Sequence, residues 1–128
     1  MPIHWTAQSM SNLVTVIAEG DVVRGDVAAF LDLVRDANLA AWSKLIDARA
    51  ARFVFTSQEV NEIGVRLRAA HAENSIGPLA FVMPEAKTPE LMRLLGFLAA
   101  AERPMRVFQE FAPAQKWIHK AGSFKRRH

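Results

Sequence analysis

Hydrophobic and polar positions change their period several times along the chain, and each change marks an element. Ile3–Met10 reads as a first strand, Ser11-Asn12 as a tight turn, and Leu13–Ala18 (LVTVIA) as a second strand rich in β-branched residues. So short a link makes these two strands antiparallel neighbours. Gly20 and Gly25 bracket a loop, and Asp26 is placed to cap a helix. That helix carries Val27, Phe30, Leu31 and Val34 at i, i+3, i+4 and i+7, and stops near Asn38. Lys44–Ala48 (KLIDA) is a short central strand that gives out at Asp47, and a loop with Arg49 and Arg52 follows.

A second helix is expected from about Ser57 to Ala72, with Val60, Ile63, Leu67 and Ala70 or His71 inward. Gly77-Pro78 then breaks the chain before Leu79–Met83, an uninterrupted apolar run of the kind buried on both faces of a parallel sheet. Thr88-Pro89-Glu90 combines a capping hydroxyl, a proline at the first helical position and an acid in the first turn. The helix it opens runs to about Glu102, ahead of Pro104. Arg106–Phe111 alternates as a last strand. Pro113 opens a final helix with Ala114, Trp117, Ile118 and Ala121 inward and Gly122 as its stop. The order β-β-α-β-α-β-α-β-α predicts an α/β fold: a five-stranded mixed, mostly parallel sheet packed with four helices. One domain spans 1–122, and 123–128 forms a basic C-terminal tail.

Composition narrows the function. The 128 residues, half of them hydrophobic, suit one globular domain with a real core. With no cysteine, disulfides and thiolate chemistry are excluded. No leader opens the chain and no run approaches the roughly 18 apolar residues of a membrane span, so a cytoplasmic location is expected. The net charge of +3 combines −3 over residues 1–64 with +6 over 65–128, ending in Lys125, Arg126 and Arg127. Only Phe124 adjoins that tail, and the basic excess is otherwise scattered, which does not suit a nucleic-acid surface. The four histidines have no ligand spacing, and neither GxGxxG, a P-loop nor GxSxG occurs. No catalytic residue, metal or cofactor is therefore expected.

Leu45-Ile46-Asp47-Ala48 after a first helix, with a helix then opening on Thr56-Ser57, resembles the STAS domains, whose fold is that of the anti-anti-sigma factor SpoIIAA. The ending, Arg106-Val107-Phe108 with Ala114, Trp117 and Ile118, resembles more narrowly the bacterial SpoIIAA-like, or STAS/SEC14-like, proteins. The opening, Ile3-His4-Trp5 with Leu13–Ala18 and Gly20, is similar to that subgroup too. The resemblance covers nearly the whole chain and implies a STAS-type fold and a regulatory, protein-binding role. Anti-anti-sigma factors are phosphorylated on a serine in an Asp-Ser-Ser-Gly type motif at the start of the helix after the central strand. The matching position here is Thr56, with Ser57 beside it. Phe55 stands in place of the aspartate, and Gln58 or Glu59 in place of the glycine.

Thr56 and Ser57 are accordingly the candidate switch, with Arg49 and Arg52 as candidate support for a phosphate at a helix N-terminus. Thr56-Ser57-Gln58-Glu59 is equally a capping box, with Phe55 and Val60 as its hydrophobic staple, and capping is the favoured reading. Asp47, the acid at the end of the central strand, is read as accepting from loop amides. The third helix is apolar nearly all round. Either it is sandwiched, or Met92, Leu95 and Phe97 face a partner, most simply a second copy in a homodimer. The expected function is a non-enzymatic regulatory or interaction module. The alternative is a carrier or sensor of an apolar, lipid-like molecule in a cavity lined by Phe81, Leu94, Leu95 and Phe97.

Overall fold

Two strands that pair antiparallel start the sheet: β1 (Ile3–Gln8) and β2 (Leu13–Val22), joined through Asn12 at φ +48°. The computed structural model describes residues 2–73 and 75–126, the last four of these by backbone alone. Three crossovers follow, through α1 (Arg24–Asp36), α2 (Ser57–Glu73) and α3 (Pro89–Ala99), leading to β3 (Ser43–Phe53), β4 (Leu79–Val82) and β5 (Met105–Phe108). β2 to β5 are parallel neighbours, and the spatial order is the sequence order, β1-β2-β3-β4-β5. Right-handed crossovers that always step the same way leave all three helices on one face of the sheet. The last helix, α4 (Phe111–Arg126), takes the other face, where Ala114 and Ile118 bury against Leu13, Leu45, Ala80 and Val82.

The predicted architecture stands, and the boundaries move for identifiable reasons. β2 and β3 run on to Val22 and Phe53, pairing Glu19–Val22 with Ala50–Phe53 beyond a bulge, with Gly20 at φ +67°. Arg49 and Arg52 are therefore strand residues, not loop residues, and Asp47 lies mid-strand. Helix α1 begins with Val23 as its N-cap. Asp26, expected as the cap, sits inside the first turn and accepts the Val23 N–H at 2.9 Å. Its other end stops at Asn38 (φ +58°), where Leu39 N–H donates to the Val34 carbonyl and Asn38 N–H to that of Arg35. Leu39 also packs on Val34, which completes a Schellman stop.

Helix α3 has the expected cap, Leu91 N–H donating to Thr88 Oγ1 at 3.2 Å, but it ends at Ala99 rather than near Glu102. β5 is limited to four residues by its four-residue partner β4, and Phe111 belongs to α4. Pro113 sits in the first turn of α4, where its missing N–H costs no helical hydrogen bond. Gly122 does not stop α4, whose backbone continues to Arg126. The side chains of 123–126, and Arg127 and His128 altogether, lie outside the described residues, and the expected basic tail with them.

Candidate functional site

Each of the two arginines singled out in the sequence is paired with a carboxylate, Arg49 with the singled-out acid Asp47 and Arg52 with Asp21. Arg49 and Asp47 share one side of β3, two residues apart, and the guanidinium meets the carboxylate with both prongs: Nε to Oδ1 at 2.9 Å and Nη2 to Oδ2 at 2.8 Å. The Arg49 backbone N–H also donates to Oδ1, so Asp47 accepts a strand amide rather than loop amides. These hydrogen bonds hold the Asp47 carboxyl below the usual carboxylate range. Arg49 also lies over the Phe111 ring, 5.5 Å from its centroid. Arg52 grips Asp21 across the β2–β3 ladder in the same two-pronged way, at 2.9 and 3.0 Å.

Thr56 caps α2. Its Oγ1 accepts the Glu59 N–H at 3.1 Å, while Glu59 accepts the Thr56 N–H at 2.9 Å. Phe55 and Val60 are both buried beneath this box, as the staple requires. The cation at this end of the helix is Arg24, 3.7 Å from Glu59 and 3.5 Å from Glu62, and the sequence reading missed it. Because the hydroxyl satisfies a helix N–H, Thr56→Ala is expected to lower stability by about 1 kcal/mol. Ser57→Ala, at an exposed site, is expected to change it by less than about 0.5 kcal/mol. Equal losses for the two variants in urea melts would remove the capping account.

The apolar character of α3 is explained mostly from within the chain. Leu91 and Leu95 pack onto Phe81 and Met83 of the β4 segment, and Leu94 onto Val60 and Ile63 of α2. Phe97 stacks over Gly64, where an added Cβ would stand 2.6 Å from the ring, and Arg68 lies 5.3 Å from its centroid. The helix is sandwiched between sheet and α2, and only Met92, half-exposed, remains of the expected patch.

Between the sheet and α1–α3 lies a partly enclosed apolar cavity of about 160 Å³. Ile46, Phe53 and Phe81 form its floor, and Leu31, Leu67 and Leu94 are among the residues of its roof. Phe81 and Leu94 are among its lining residues. Leu95 and Phe97 are not; their side chains are used in the helix contacts just described.

One end of this cavity is basic, which the sequence reading did not anticipate. Lys44 of β3, His71 near the end of α2 and Arg103 before β5 all line it. Lys44 is buried, with its Nζ donating to the carbonyls of Leu39, Ala40 and Trp42 at 3.1, 2.9 and 3.0 Å. The His71 pKa is pushed down by burial and by the charge of Arg103, so the ring is neutral at pH 7. Burial pushes Arg103 itself down to about 10, so it stays charged. Its Nε–H is buried without an acceptor among the described residues, and Nη2 makes only a long 3.4 Å contact with the Leu98 carbonyl. Position explains the burial: Pro104 disfavours helical geometry at the preceding residue, so the chain leaves α3 early and turns Arg103 inward.

Among solved structures, the chain is similar to an uncharacterised protein of the DUF3478 family with a SpoIIAA-like fold from Shewanella loihica. The match has 13% identity and a TM-score of 0.56, and covers 91% of each chain. That likeness is one of fold, and it gives this chain a SpoIIAA-like fold. No family model matches the sequence, and no curated protein is similar to it.

Proposed function

We propose that this SpoIIAA-like fold serves as a non-enzymatic binding module that takes up an apolar small molecule between its sheet and its crossover helices. The observation that carries this reading is the 160 Å³ apolar cavity. Its lining is almost wholly apolar, so a ligand that covers those side chains gains the favourable free energy of removing apolar surface from water. A ligand the size of benzene or a short hydrocarbon chain fits the space. No helix among the described residues is long and apolar enough to cross a membrane.

A regulatory role fits the same module. Helix α2 lines the cavity with Ile63, Leu67 and His71, and it carries Thr56 and Ser57 on its exposed N-terminus. One rigid element thus joins the ligand site to the surface where a phosphate or a partner protein would act. Methyl-resolved NMR with 1-octanol as the probe tests the reading. Saturable shifts are expected for Ile46, Ile63, Leu67 and Leu94, with Leu13 and Ile118 under α4 unmoved. Shifts of similar size on both faces of the sheet, or none at all, would remove it.

A further inference from the structure

A charged, partly buried guanidinium stands in the apolar wall of this cavity, its Nε–H shielded from solvent. Burying a cation is costly unless an anion or a full set of acceptors compensates it. Lys44 meets that requirement through three backbone carbonyls. Arg103 does not. Its Nε–H has no acceptor among the described residues, its Nη2 contact is long, and no carboxylate of the described residues pairs with it. The other arginines in two-pronged pairs, Arg49 and Arg52, show what this side chain does when a carboxylate is within reach.

We infer that the ligand is amphipathic, with its apolar part along Ile46, Phe81 and Leu94 and a small oxyanion head, carboxylate or phosphate, held by Arg103. The inference rests on the cavity reading and names its ligand class. The planar fork of Arg103 supplies two donors toward one oxyanion. Neutral His71 adds a donor without a second charge, and Lys44 adds positive potential while it fixes the loop before β3. A neutral alkane would leave the Arg103 Nε–H without an acceptor.

Calorimetric titration at pH 7 with octanoate, octyl phosphate and 1-octanol tests this, using wild type and Arg103→Met. Wild type is expected to bind at least one of the two anions about tenfold or more tighter than octanol, as a charged hydrogen bond in a buried site allows. Which anion leads identifies the head. Arg103→Met is expected to bring that anion to the level of octanol and leave octanol within about twofold. Its melting temperature should be at or above that of wild type, since an uncompensated cation has been removed. A second measurement needs no variant: the Arg103 Nε–H resonance should move on addition of the preferred anion and stay in place with octanol. Equal affinity for all three probes, an anion preference that survives Arg103→Met, or an unmoved Nε–H resonance each overturn the inference. In those cases the cavity reading still stands if octanol binds. If no probe binds wild type, both fall together.

Discussion

Gly77→Ala is expected to cost this protein roughly 3 kcal/mol, among the largest effects of any single-methyl change in the chain. A Cβ at residue 77 would stand 2.2 Å from the Trp42 carbonyl oxygen and 2.5 Å from that of Ala41. Both obstacles are backbone, so no side chain can swing away. The segment they belong to is also fixed on several sides. Gly77 N–H donates to the Ala40 carbonyl, Lys44 N–H to that of Pro78, and Ser43 N–H to that of Asn12. Lys44 Nζ holds the carbonyls of Leu39, Ala40 and Trp42 from below. Opening the gap by an ångström therefore disturbs several hydrogen bonds at the basic end of the cavity, and ligand uptake should weaken with stability. Gly96→Ala is the matched control. It sits within α3 with nothing inside 4 Å of the added methyl, and should gain about 0.5–1 kcal/mol from helix propensity. Thermal melts of the two variants should shift in opposite directions. An unchanged midpoint for Gly77→Ala would mean that residues 76–78 do not pack on 40–42 as described.

The parts of this fold legible in the sequence are those set by local chemistry. The Thr88-Pro89-Glu90 start, the Asn38 stop and the Thr56–Glu59 box each depend on a few neighbouring residues, and each is formed where the pattern placed it. The second half of β3 was hidden because Ala48-Arg49-Ala50-Ala51-Arg52 has none of the β-branched residues that announce a strand. Its strand geometry comes from pairing with Glu19–Val22, some thirty residues earlier, and local propensity does not report a long-range ladder. The candidate site divides in the same way. Its apolar wall was partly legible, since Phe81 and Leu94 follow from strand burial and helical spacing. Its basic end was not. Arg103 next to Pro104 reads as an ordinary helix-end cation, and only the packed structure shows it turned inward. Only His71 was partly placed from the sequence, as the alternative to Ala70 on the inward face, four residues after the buried Leu67.

Leu91→Ala is expected to lower stability by about 2–5 kcal/mol, while Met92→Ala, one residue along, should change it by less than about 1 kcal/mol. Leu91 is fully buried among Ala18, Ala48, Phe81 and Met83, where the start of α3 meets the centre of the sheet. Little around it can collapse to fill the space, because two of those neighbours are alanines, whose side chains have no length to swing into it. Met92 is 50% exposed and lies outside the core clusters of the described residues. The pair of variants thus decides between the two readings of an all-apolar helix. If α3 is apolar because it is sandwiched, the losses differ severalfold and neither depends on protein concentration. If it is apolar because it also meets a second copy, Met92→Ala shifts the midpoint as well, by more at high concentration than at low, since association stabilises by mass action. Melts of wild type and Met92→Ala over a hundredfold range of concentration separate the two. The burial of Leu94 and Leu95 within one chain, with Phe97 partly buried against Gly64, points to the first.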